Sequence, residues 1–162
     1  MRLPRGLVLP LAGSAMAIAV SLADYFEGFT LTAYQDSGGV WTICNGSTQG
    51  VTPDLVETPE GCKARKAKDL GAARDAVRRL VRVPMPATRE AAFIDFAYNA
   101  GPGNLAKSSM VSQINRGNTA AACAAFDRWV YVAGKNCNDP AAQCRGIVTR
   151  RGVERWLCEV GQ

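Results

Sequence analysis

The chain has 162 residues, 19 lysines and arginines against 14 aspartates and glutamates, a formal net charge of +5 and no histidine. With 48% hydrophobic and 20% charged residues the composition is globular, and the length fits one domain, if need be in two lobes. The absence of histidine excludes Ser-His-Asp and Cys-His hydrolases and imidazole-bound zinc hydrolases, so acid–base chemistry falls to carboxylates, Lys, Tyr or Cys.

At the N-terminus Arg2 and Arg5 precede an uncharged run, residues 7–23 (LVLPLAGSAMAIAVSLA), which Asp24 ends. A basic start followed by an apolar run is the pattern of a secretory signal or membrane anchor. As a helix it would reach ~25 Å, somewhat short of a hydrocarbon core of ~30 Å. Pro10, Gly13, Ser14, Ser21 and five alanines make it weakly apolar. Three readings stay open: a signal peptide cleaved after Ser21-Leu22-Ala23, an uncleaved segment held marginally in the membrane, and a buried helix.

Asp24 to Glu27 reads as a helix end with Gly28 as its stop signal. Residues 31–34 and 40–44 read as strands joined by the turn Asp36-Ser37-Gly38-Gly39. A Gly/Ser/Thr-rich loop follows. Thr58 as N-cap and Pro59 at the first helical position then open a helix to about Arg82, with Ala67, Leu70, Ala73, Val77 and Leu80 at helical spacing. Its other face carries Lys63, Lys66, Arg74 and Arg78, most of which simple solvation explains. Thr88 is expected to cap a helix through Asn99, and further helices are expected over residues 105–116, 119–130 and 148–160. Strands and helices are segregated, so the class is α+β, mostly helical. The expected units are an N-terminal membrane segment (1–24), a small lobe (25–60), a connecting helix (60–82) and a helical lobe (86–162).

Six cysteines, Cys44, Cys62, Cys123, Cys137, Cys144 and Cys158, form no C-x-x-C pair. An even, scattered set points to disulfides and an oxidising compartment rather than a metal site. Many pairings are possible; those favoured are Cys137–Cys144, Cys123–Cys158 and Cys44–Cys62.

Chemistry concentrates in residues 26–48, FEGFTLTAYQDSGGVWTICNGST. Glu27 stands at a helix end among Tyr25, Phe26 and Phe29, an apolar setting that would favour a protonated carboxyl. Asp36 stands in a polar turn that would leave it ionised, and Thr42 lies on the next strand. A glycosidase needs two carboxyl groups in such unlike surroundings.

This segment closely resembles the phage-type lysozymes. The resemblance continues in YNAGPGNLAKSSMVSQINRG (98–117), in Arg128-Trp129 and in GIVTRRGVERWLC (146–158), and so covers nearly all of the chain from Asp24 onward. The apolar start and the cysteines are similar to the signal-arrest-release endolysins within that family. The resemblance implies a two-lobed lysozyme-like fold and hydrolysis, with inversion, of the β-1,4 bond between N-acetylmuramic acid and N-acetylglucosamine in peptidoglycan. It implies Glu27 as general acid, Asp36 as the carboxylate that positions or activates water, and Thr42 as the threonine that helps hold that water. It implies a monomer without metal or cofactor. It also implies export to the host inner membrane through the N-terminal segment, then release to the periplasm. Substrate-binding residues stay unassigned.

The chain departs from the family at W-T-I-C-N-G-S-T, where W-T-I-G-x-G-H-T is usual: Cys44 replaces a glycine and Ser47 a histidine. Trp129 and Trp156 are expected in the core, and Trp41 as core or sugar platform. Arg145, Arg150 and Arg151 are expected either to meet anionic muropeptides or to form plain basic surface. No nucleic-acid signature accompanies the positive charge. The competing readings are a lytic transglycosylase, which has no need of the Asp36–Thr42 pair, and a membrane-tethered wall-binding module without activity.

Overall fold

The computed structural model describes residues 3–36 and 39–160. Arg2 of the basic start and Ser37-Gly38 of the expected turn lie outside the described residues. The chain opens with an irregular strap over residues 3–13, in which Leu7 is buried against the main core and Leu3 and Leu9 pack on it. Ser14 then caps helix α1 (Ala15–Phe26), its side chain accepting from the Ala17 amide at 3.2 Å. Ile18, Ala19, Leu22 and Ala23 are fully buried, the three- and four-residue spacing of one helix face. Of the three readings of the apolar run, this state is the buried helix. No helix among the described residues is long and apolar enough to cross a membrane. The cap that ends α1 is Glu27 itself in an extended conformation (φ −90°, ψ 139°), not a left-handed Gly28.

Strands β1 (Thr30–Gln35) and β2 (Trp41–Cys44) pair antiparallel, with Thr30 opposite Cys44, Tyr34 opposite Thr42 and Gln35 opposite Trp41. The register shifts between Thr30 and Tyr34. A single bridge, Thr32–Val56, adds the returning loop. Ile43, Cys44 and Cys62 form a small core of their own, with Leu31, Ala33, Val51 and Leu55 against it. Helix α2 (Pro59–Leu80) begins as expected: Thr58 accepts from the Gly61 amide at 3.0 Å and Pro59 takes the first turn.

Helix α3 (Ala87–Ala100) is the hub and packs against α1, α2 and α7 (Arg145–Val160). It is buried over most of its circumference, from Ala91 to Ala97. Phe93, Phe96 and Phe126 meet edge to face at 5.5 and 5.7 Å, and Trp129 joins Phe96 at 5.2 Å. Each buried ring contributes about 1.5–3 kcal/mol relative to exposure. Trp129 and Trp156 pack on this core, as expected.

Several boundaries differ from expectation. Thr88 is not a cap: Pro86 holds the N-cap position, and Thr88 Oγ1 is buried without a hydrogen-bond partner. The single helix expected over 105–116 is two, α4 (Pro102–Lys107) and α5 (Ser109–Asn115), broken at Ser108, whose hydroxyl donates back to Leu105 O at 2.7 Å. The helix expected over 119–130 is α6 (Thr119–Ala124) followed by a 3-10 turn (Ala125–Arg128). A short hairpin, β3 (Tyr131–Val132) with β4 (Lys135–Asn136), had no signal in the sequence.

The three favoured cysteine pairs form: Cys44–Cys62, Cys123–Cys158 and Cys137–Cys144. The first ties β2 to α2, the second ties α6 to α7, and the third closes the loop before α7.

Candidate active site

A pocket of about 220 Å³ is lined by Glu27, Tyr34, Asp36, Thr42, Asn45, Gly46, Thr48, Tyr98 and Asn99. It thus gathers all three residues singled out in the sequence, from three elements. Glu27 ends α1, Asp36 follows β1, and Thr42 lies on β2.

The hairpin fixes Asp36. The Val40 amide donates to Asp36 Oδ1 at 2.9 Å, while the Asp36 amide donates to Val40 O at 3.0 Å. The carboxylate stays exposed, the polar setting expected of it. Thr42 is buried, and its Oγ1 donates to Val40 O at 3.0 Å. Its one proton is spent on the backbone, so the oxygen faces any further partner as an acceptor.

The loop after β2 forms the floor. Ile43 and Ser47 exchange two backbone hydrogen bonds at 2.9 and 3.0 Å, with Asn45 and Gly46 inside the turn. Gly46 has φ +84°, the left-handed region that glycine occupies without steric cost. Asn45 Nδ2 donates to Gly28 O at 3.3 Å, and Tyr98 Oη donates to Asn45 O, so the loop is fastened to the chain just after α1 and to α3. Burial, then Glu27, raises the Tyr98 pKa, so its phenol stays a donor. Cys44 faces Cys62 and the small core, not the cleft, although its φ of +61° lies in the left-handed region that favours glycine.

The surroundings of Glu27 differ from the sequence expectation. They are not simply apolar: the side chain, one-fifth exposed, accepts from Arg150 Nη1. Arg150 is 2% exposed, lies over the Phe26 ring at 5.4 Å, and gives Nε and Nη2 to the two oxygens of Asp95 at 2.8 Å each. Burial works against its charge, but Asp95 first, then Glu27 and Glu154, outweigh it and raise its pKa. Arg151 is likewise buried; it donates to both oxygens of Glu154 at 2.5 Å, and to Asn99. Neither arginine is basic surface or free for a muropeptide, and that expectation is corrected. Sequence reasoning missed this network because its partners lie 123 and 55 residues from Arg150 along the chain. Its signal was the paired Arg150-Arg151 on a helix that otherwise reads as core.

Among the described residues no group of three or more His, Cys, Asp and Glu could hold a metal ion. The arrangement offers a half-buried carboxyl beside a buried cation, facing an exposed carboxylate and a hydroxyl acceptor across a polar cleft.

Comparison with known proteins gives consistent matches. The family model described as Phage lysozyme matches residues 24–154. The SAR-endolysin of Enterobacteria phage P21 is 34% identical over 167 residues, which cover 99% of this chain and 97% of that protein. The active form of P1 phage endolysin Lyz superposes with a TM-score of 0.76 at 26% identity, over 88% of this chain and 83% of that one. The muramidase domain of SpmX from Asticaccaulis excentricus gives 0.74 at 27% identity, over 86% and 92%.

Proposed function

Because the chain belongs to the phage lysozyme family, we propose that it is a muramidase that cuts the N-acetylmuramic acid to N-acetylglucosamine β-1,4 bond of peptidoglycan with inversion. Glu27 protonates the leaving oxygen. Asp36 accepts a proton from the attacking water, and Thr42 Oγ1, its own proton committed to Val40, accepts the water's second hydrogen. Water attacks the face of the sugar opposite the bond that Glu27 protonates, which is the inverting geometry. The observation that carries this reading is the single cleft in which Glu27, Asp36 and Thr42 meet.

The test is wall clearing by the purified oxidised protein beside Glu27→Gln and Asp36→Asn. A general acid contributes about 10²–10⁴-fold, so clearing by Glu27→Gln should nearly vanish while its melting curve persists. Asp36→Asn should be equally severe or somewhat milder. Mass spectrometry of the products separates the two chemistries: reducing muramic ends mark hydrolysis, anhydro ends a lytic transglycosylase. Undiminished clearing by both variants would leave neither.

We propose further that the chain is a monomer, exported, held in the inner membrane by residues 7–23 and then released to the periplasm; the relatives named SAR-endolysins support the membrane-held and released stages. The structure described above is then the released form. Ile18, Leu22 and Ala23 cannot lie in lipid and in the core at once. While they lie in lipid, α1 is undocked, Glu27 is displaced from the cleft, and the tethered protein is inactive.

A further inference from the structure

The bond between Glu27 and Arg150 poses a chemical problem for the role just proposed. A general acid must hold its proton, and a buried guanidinium bonded to it favours the anion. Arg150 has no water to share its charge with, being 2% exposed. What it does have is Asp95, a fully buried carboxylate on α3 that accepts from both Nε and Nη2 at 2.8 Å. Two parallel bonds to one carboxylate turn Nη1 toward Glu27.

Resting on the muramidase reading, we propose that Asp95 is a positioning residue: it neutralises Arg150, so that Arg150 orients Glu27 without stripping its proton. The cation then serves as a rigid hydrogen-bond donor rather than as a counter-ion. Arg150 can orient Glu27 because its planar group is clamped between Asp95 and the Phe26 ring.

The other charged groups leave this task to Asp95. From α7, Glu154 Oε1 lies 3.8 Å from Arg150 Nε, and Arg151 is engaged by Glu154 and Asn99. Glu154 is taken up by Arg151, which donates to both of its oxygens, and it reaches Arg150 only at that longer distance. From α3, Tyr98 is a neutral phenol bonded to Asn45. From the small lobe, Asp36 lines the other side of the cleft. Asp95 is therefore the carboxylate that meets Arg150 directly, at two bonds.

The experiment is a carbon-13 titration of the Glu27 carboxyl in the full oxidised chain, run beside the pH profile of wall clearing. Asp95→Asn should lower the Glu27 pKa by about one unit or more. The alkaline limb of activity should follow it down, and neutral kcat should fall about tenfold for that one unit, with KM unchanged. Glu159→Gln, which removes a carboxylate from the exposed Arg155 pair on the same helix, should leave the titration in place. If Asp95→Asn does not melt cooperatively, the double variant Asp95→Asn/Arg150→Gln removes both charges together, a change that buried pairs tolerate better than loss of one partner. There Glu27 should titrate within a few tenths of wild type; a rise of a unit or more would show that Arg150 was never neutralised and overturn the proposal. An unchanged Glu27 titration in Asp95→Asn overturns it equally. A shifted titration with an unmoved activity profile upholds the pairing and instead refutes Glu27 as the acid.

Discussion

Gly46 passes so close to Glu27 that a Cβ built on it would lie 3.3 Å from Glu27 Oε2. The glycine has φ +84°, so the turn that carries it needs the absence of a side chain twice, for its own backbone and for the carboxyl beside it.

Gly46→Ala should therefore damage catalysis as well as stability. Left-handed strain at one residue costs about 1–2 kcal/mol. The Glu27 carboxyl must give by a few tenths of an ångström, and since ~1 Å of misplacement can cost ~10²-fold in rate, a shift of that size costs about threefold or more. Clearing kinetics beside thermal melts would check this: kcat should drop severalfold while the protein still melts cooperatively.

Reduction should lower the melting temperature, since a disulfide typically contributes about 2–4 kcal/mol. The three bridges span 18, 35 and 7 residues, so loss of Cys123–Cys158 should cost most and loss of Cys137–Cys144 least. Paired Cys→Ser variants measure the order. Thiol titration of the oxidised protein should find no reactive cysteine.

Ser21→Leu should hold the protein in the membrane fraction and reduce lysis. Ser21 lies on α1, partly exposed, and its hydroxyl returns to Ala17 O at 3.1 Å, so leucine strengthens insertion without filling a core position. It is a cleaner probe than Gly13, whose Cβ would meet Pro10 O at 2.9 Å, or Ser14, which caps α1. Fractionation with N-terminal sequencing reads the outcome; a chain beginning at Asp24 would refute tethering.

Stability should fall as pH rises from the ordinary carboxyl range to about 8. Burial raises Glu154 to about 8, so through that window the folded state keeps a proton that the unfolded chain has released. Above about 8 this loss is complete. Melting temperatures across the window should decline in the wild type and flatten in Glu154→Gln.

What the sequence made legible was local. Thr58-Pro59 announces α2 because a cap and a first-turn proline act within one turn. Glu27, Asp36 and Thr42 could be picked out because the hairpin that joins them is short. The Arg150 network was illegible because an arginine reads as surface until its carboxylates arrive from α1 and α3. Thr88 misled for the opposite reason: it has the chemistry of a cap, but Pro86 sets the start of α3 and the threonine hydroxyl is covered inside the first turn. Ser108 stands at the break in a run of good helical spacing, its hydroxyl and its amide both donating to Leu105 O.

Cys44 carries a further consequence. It sits at φ +61°, where most residues other than glycine are unwelcome, next to the Asn45-Gly46 turn that floors the cleft. Its bond to Cys62 on α2 is the covalent rivet that holds that awkward turn to the long helix. A copy still inside the producing cell, among reducing thiols, has the same sequence but lacks the rivet. The chain thus carries a record of where it has been: only molecules that have crossed into an oxidising space have the cleft floor bolted down.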